Sequence, residues 1–138
     1  MYFIANWKMF GDIKSLNSLN KVLKFLKSNK NNKFKLIYCP PYTLLNLFSK
    51  KIKSSNIELG AQNCHHEEVS GPFTGSISSK MLKEIGAKYV IIGHSENRAL
   101  GETDLIVNKK IQSSITNGLK IIFCIGETLL QRKKKTNS

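Results

Sequence analysis

Long apolar runs are missing from this chain. No stretch of 18 or more apolar residues occurs in its 138 residues, so no segment reads as a membrane-spanning helix. Met1 to Phe10 carries neither a basic leader before a long apolar stretch nor a small-residue cleavage pattern, which makes cytoplasmic residence the expectation. Cysteine is sparse: Cys39, Cys64 and Cys124 form no Cys-x-x-Cys pair. An odd, widely spaced set argues against a disulfide framework and a structural zinc site, and the three read as reduced, small apolar side chains. Acids are few, nine against 22 basic residues, and the formal charge is +13. Arginine is nearly absent, with only Arg98 and Arg132. Recognition of bases and phosphates favours arginine for its bidentate fork. The lysines are instead spread along expected helix faces (Lys21, Lys24, Lys27, Lys50, Lys53, Lys80, Lys83), so the charge reads as solvated surface and no nucleic-acid partner is expected. A positive field of this size still attracts an anionic metabolite.

What remains is an ordinary globular balance, 41% hydrophobic and 22% charged, in a chain long enough for one domain with a core. Short apolar runs alternate with amphipathic stretches. Tyr2 to Asn6 reads as a strand, and a helix follows from about Asp12 to Ser28 with Ile13, Leu16, Leu19, Val22, Leu23 and Leu26 on one face. Lys35 to Cys39 is a second strand, halted by Pro40-Pro41, which pre-set the entry to a helix carrying Leu44, Leu45, Leu47, Phe48 and Ile52. Ile57 to Ala61 is the third strand, followed by a long loop from Gln62 to Ile77. Ser78 caps a short helix that ends at Gly86. Tyr89 to Gly93 is the fourth strand, Thr103 to Asn117 a helix stopped by Gly118, and Ile121 to Gly126 the fifth strand. Thr128 opens a further helix that runs into Lys133-Lys134-Lys135.

Repeated strand–helix alternation with right-handed crossovers makes all five strands parallel. Periodicity alone leaves an open doubly wound sheet and part of a βα barrel equally open. In either case chemistry gathers at the carboxyl ends of the strands. His94-Ser95-Glu96, directly after Tyr89-Val90-Ile91-Ile92-Gly93, puts an ionisable imidazole beside a carboxylate at that edge. A strand apolar at nearly every position is covered on both faces, so the polar cluster at its end stands out as a candidate site.

Five strand-end motifs occur in order: Asn6-Trp7-Lys8-Met9, Gly60-Ala61-Gln62-Asn63, Gly71-Pro72-Phe73-Thr74-Gly75, Ile92-Gly93-His94-Ser95-Glu96 and Cys124-Ile125-Gly126-Glu127-Thr128. Together they closely resemble the triosephosphate isomerase family, from residue 1 to at least Arg132. The resemblance implies an α/β fold, the parallel (β/α)8 TIM barrel. Residues 1–138 would be one partial barrel domain, its amino-terminal half, with about five strands and four to five helices. It implies interconversion of dihydroxyacetone phosphate and glyceraldehyde 3-phosphate in glycolysis and gluconeogenesis, with no metal and no cofactor.

By the same resemblance, Asn6 and Lys8 match substrate contacts, and a lysine there can balance phosphate and a developing enediolate charge. His94 matches the electrophile that polarises the substrate carbonyl as a neutral imidazole, a mechanism for which triosephosphate isomerase is itself the standing example. Glu96 matches a carboxylate that organises Lys8 and His94. Phe73, Thr74 and Gly75 lie in the loop that enters a pocket of a partner subunit, so a homodimer is implied. Glu127 matches a residue supporting the lid region. The run Cys64-His65-His66-Glu67-Glu68 lacks a recognised metal-ligand spacing and falls in the same dimer loop. Two positions depart from the family pattern: Ser76 stands where an acid is usual and Asn97 where an arginine is usual, which removes both members of a charge pair between subunits.

A complete barrel takes about 250 residues. The family's glutamate base on the sixth strand, the mobile lid and the glycine-rich phosphate loops all fall outside these 138 residues. A positioned base contributes about 10²–10⁴-fold to such proton transfers, so the 138-residue polypeptide alone is expected to be inactive. A second reading is a non-catalytic half-barrel that binds an isomerase subunit, and a third is a basic nucleic-acid-binding domain.

Overall fold

The computed structural model describes residues 1–29, 33–127 and 129–135. Five parallel strands, β1 (Tyr2–Asn6), β2 (Lys35–Cys39), β3 (Ile57–Ala61), β4 (Tyr89–Ile92) and β5 (Lys120–Phe123), lie side by side in chain order. The helices between them are α1 (Ser18–Ser28), α2 (Tyr42–Ile52), α3 (Ser79–Glu84), α4 (Ser95–Ala99) and α5 (Asp104–Thr116), and α6 (Leu129–Lys135) follows β5. The sheet curls into half of a (β/α)8 barrel, as expected. No helix among the described residues is long and apolar enough to cross a membrane.

The first three strands have the bounds that their sequence punctuation predicts. The stretch expected as one helix from Asp12 instead opens with a 3₁₀ segment, Ile13–Asn17. Asp12 and Ser15 form a reciprocal cap: the Asp12 carboxylate accepts the Ser15 N–H at 2.8 Å, and the Ser15 hydroxyl accepts the Asp12 N–H at 3.0 Å. That box tightens the first turn before α1 begins. Side-chain caps start two later helices, Ser78 accepting from Met81 N–H at 3.2 Å and Thr103 from Ile106 N–H at 3.3 Å. The fourth and fifth strands are shorter than expected, ending at Ile92 and Phe123, the last pair in their register. The expected helix start at Thr128 lies outside the described residues.

Parallel pairing puts Ile4 beside Ile37, Asn6 beside Cys39, and Val90 beside Ile121. Alternation then divides the side chains. Leu59, Val90 and Ile92 join Leu19, Leu44, Leu45, Phe48, Leu82 and Val107 in the main core between sheet and helices. Each large apolar side chain fully buried there contributes about 1.5–3 kcal/mol. Ile37, Cys39, Tyr89 and Ile91 form a smaller cluster on the other, inward face of the curl. Gly60 sits on that face because a Cβ there would come 2.5 Å from Cys39 Sγ. The edges differ from the centre: β4 is buried at all four residues, whereas Tyr2, Phe3 and Ile4 of β1 and Phe123 of β5 are exposed.

Candidate active site at the carboxyl ends of the strands

The carboxyl end of β1 delivers Asn6 and, two residues on, Lys8. Trp7 anchors this turn: its N–H donates to Cys39 O at 3.1 Å, and its ring meets Phe48 edge-on with centroids 5.1 Å apart. Lys8 then adopts φ of 53°, a left-handed conformation that costs a non-glycine residue free energy and persists only where the surroundings hold it. Two side chains hold it here. Asn6 Oδ1 accepts the Lys8 N–H at 2.9 Å. Gln62, beyond β3, donates through Nε2 to both Lys8 O and Cys39 O at 2.8 Å.

At the end of β4, Gly93 has φ of 74°, a turn that carries the chain from the buried strand to His94. His94 caps α4, its Nδ1 accepting the Glu96 N–H at 3.2 Å. An acceptor nitrogen carries no proton, so the single ring proton of the neutral imidazole is on Nε2. Glu96 joins the two strand ends. Its Oε1 lies 2.7 Å from Lys8 Nζ and its Oε2 lies 3.5 Å from His94 Nδ1. The hydrogen bond from Lys8 holds the Glu96 carboxyl below the usual glutamate range, with the charge of Lys8 acting in the same direction. Three sequence-predicted residues, 88 positions apart in chain at the widest, are thus brought into one constellation, with Asn6 supporting its lysine through the backbone.

Next to this constellation is an open cavity of about 590 Å³, lined by His94, Ser95, Arg98, Cys124, Ile125 and Glu127 among others. Arg98 braces its wall, donating Nε–H to Gly93 O at 3.0 Å and pairing with Asp104 at 2.6 Å. Burial pushes the Cys124 thiol up from its ordinary value, with the charge of Arg98 acting the other way. Among the described residues no three His, Cys, Asp or Glu side chains converge as a metal site would require.

This geometry sits on a chain whose whole length the triosephosphate isomerase family model matches, residues 1–138. The chain belongs to the triosephosphate isomerase family. It is similar to the triosephosphate isomerase of Bartonella quintana, 46% identical over 132 residues that cover 94% of this chain and 52% of the relative. The triosephosphate isomerase of Carboxydothermus hydrogenoformans is 53% identical over 97 residues, 70% of this chain and 38% of that protein. The crystal structure of triosephosphate isomerase from Bartonella henselae superposes with a TM-score of 0.88 at 42% identity, covering 97% of this chain and 55% of that one. The chain spans about half the length of the curated relatives it matches.

Set in the triosephosphate isomerase barrel, Lys8, His94 and Glu96 occupy the carboxyl-terminal rim of the sheet, the face where barrel enzymes carry their sites. Phe73, Thr74 and Gly75 lie elsewhere, at the exposed tip of the loop after β3. No hydrogen bond, ion pair or ring contact among the described residues joins them to Lys8, Glu96 or His94. Sequence reading quoted Gln62 only as part of a motif and missed its grip on Lys8. It also missed the buried pairing of Lys110 with Glu102 and Asn63 behind the loop. Lys110 was visible in principle, because a lysine three residues after Val107 and one before Ile111 falls on the inward stripe of α5.

Proposed function

We propose that this chain carries the amino-terminal share of a triose-phosphate isomerase site, where dihydroxyacetone phosphate and glyceraldehyde 3-phosphate interconvert through an enediolate. The observation that carries the reading is the imidazole: His94 Nδ1 accepts a backbone N–H, which leaves Nε2–H as a neutral donor toward a substrate carbonyl. A neutral donor polarises the carbonyl and can lend and recover one proton as the oxygen gains and loses charge. Lys8 supplies fixed positive charge for the enediolate and the phosphate. Glu96 holds that lysine in place, and Asn6 with Gln62 holds its backbone.

Proton abstraction from carbon needs a carboxylate base, which the family draws from its sixth strand. Glu96 is committed to Lys8 and Glu102 to Lys110, so neither is free to take that role. Residues 1–138 alone are therefore expected to give no measurable turnover of either triose phosphate. Turnover in a contaminant-free preparation, abolished by His94→Gln, would overturn this division of labour. Heteronuclear NMR of the His94 ring tests the carrying observation directly. An unprotonated Nδ1 at neutral pH is the expected signal, and a protonated Nδ1 sinks the assignment.

We read the rest of the family's setting in the same way: a cytoplasmic glycolytic enzyme without a cofactor. Its second copy meets the loop tip through Phe73, Thr74 and Gly75. The support is an exposed aromatic ring beside small residues on a loop exposed throughout 68–76.

A further inference from the structure

The loop between β3 and α3, residues 62–78, is tied down at its base and free of backbone ties at its tip. His65 N–H donates to Ile77 O at 2.8 Å and closes the base. On the α5 side, Ser113 Oγ donates to Glu67 O at 3.4 Å, and Thr116 and Asn117 donate to the side chain and backbone of Glu68, both at 3.3 Å. Among the described residues, 69–76 hydrogen-bond only with one another, through Phe73 N–H to Gly71 O at 2.8 Å and Ser76 N–H to Phe73 O at 3.0 Å.

Rings hold the tip instead. His66 packs on His65 with centroids 4.2 Å apart, and His65 packs on Phe73 at 4.5 Å, the planes tilted by 31° and 35°. Phe73 also lies over Gly71, where a Cβ would come 2.6 Å from its ring. Phe73 therefore rests against the ring of His65 as well as over Gly71.

His65 is built to be neutral. Its Nδ1 accepts the Glu67 N–H at 3.2 Å, so a second ring proton would have to sit on Nδ1 and point at another donor. The charged groups facing it are His66 and Glu67 from the loop and Lys110 from α5, two of like sign against one acid. The wall of the neighbouring cavity of about 250 Å³ brings Ser78 and Met81 from the α3 side and no charge. Attraction of a charged imidazole for the Phe73 face acts the other way. It and the Glu67 carboxylate stand against burial, a lost hydrogen bond and two repulsions, and the neutral ring prevails.

We propose that His65, stacked between His66 and Phe73, is a proton-operated latch: the neutral ring seats Phe73 and presents the 69–76 tip to a second copy of this chain, and the protonated ring releases it. The presentation clause rests on the self-association read above; the latch rests on the ring ladder alone. Burial first, and then His66, holds the His65 imidazole below its ordinary value of 6.5. The neutral form is thus the one that the folded loop favours. Its hold is complete above 6.5 and is lost as the pH falls from there through the folded value.

Backbone hydrogen exchange of peptides spanning 64–78, corrected for chemical exchange rates, tests this on the full chain between about pH 7.5 and pH 5. Protection of the tip should fall as the pH drops below 6.5, the direction that a depressed folded value requires. His65→Phe keeps a ring in the ladder without a titratable atom and should show no acid step. His66→Phe removes the like-charged neighbour and should move the step to higher pH. Protection that ignores pH in the natural chain, or an acid step that survives in His65→Phe, overturns the latch. If His65→Phe does not fold, an unmoved midpoint in His66→Phe overturns it equally. Sedimentation velocity on the same samples reads self-association separately. A chain that is monomeric at both pH values while its tip opens in acid keeps the latch and removes the second copy.

Discussion

Two of the lysine–glutamate pairs among the described residues stand in opposite settings. Lys8 and Glu96 meet at the rim of the sheet with side chains 49% and 56% exposed. Lys110 and Glu102 meet behind the β3–α3 loop with 9% and 6% exposed, and Lys110 Nζ also donates to Asn63 Oδ1 at 2.9 Å. The chemistry is the same, but the consequences differ. Water shares the rim pair, so it adds little to folding and its charges remain available to an anionic ligand. The enclosed pair has surrendered its hydration, and Glu102 Oε2 is left without a hydrogen-bond partner. Each enclosed partner is therefore needed by the other. The rim pair lies among the candidate site residues, and the enclosed pair, through the Lys110 bond to Asn63, ties α5 to the β3–α3 loop.

The largest effect expected from breaking this contrast belongs to Lys110→Met, which strands a buried carboxylate and should cost about 3–5 kcal/mol in denaturant titration. Removing both charges, with Glu102→Leu added, should recover most of that loss. A double variant as unstable as the single one would show that the pair is not the cause. Gly60→Ala probes the inward face with no charge involved. Its Cβ would meet Cys39 Sγ, and the overpacking should cost about 1–3 kcal/mol by the same measurement. Lys8→Met should leave the unfolding midpoint where it is, and a loss comparable to that of Lys110→Met would erase the distinction between the pairs.

The smallest expected effect is a titration. The Glu96 carboxyl, drawn down first by the hydrogen bond from Lys8, should titrate below its ordinary 4.5 in carbon-detected NMR and return toward that value in Lys8→Met. Its folded value is the depressed one. Whatever the rim pair contributes is therefore present above 4.5 and lost as the pH falls through the lower folded value. Acid opens the rim pair only beneath the usual glutamate range.

Much of this was legible in the residues because local chemistry and global fold agree. Asn6 and Pro40 punctuate the first two strands and Gln62 opens the loop after the third, and the observed bounds match that punctuation. The fifth strand misled because Ile125 continues its apolar run, although pairing with β4 ends at Phe123 and Ile125 is 83% exposed. Hydrophobicity does not report whether a neighbouring strand is still present. The five-residue α4 has no apolar period to detect; His94 and Glu96 reveal it only through the cap. At the site, residue types and order pointed to Lys8, His94 and Glu96. The role of Gln62 was hidden, because a clamp across 54 residues depends on how two strand ends come together.

The order of strands in space, β1 to β5, is also their order along the chain. Among these five, each new strand therefore meets an edge completed by the strand before it. Sheet growth can follow synthesis from the ribosome one βα unit at a time, with loop closure confined to the length of a single crossover. The exposed backbone edge is then always the youngest strand on one side and β1 on the other. While these five strands form, a chaperone that guards nascent sheets would have those two rows of amides and carbonyls to cover.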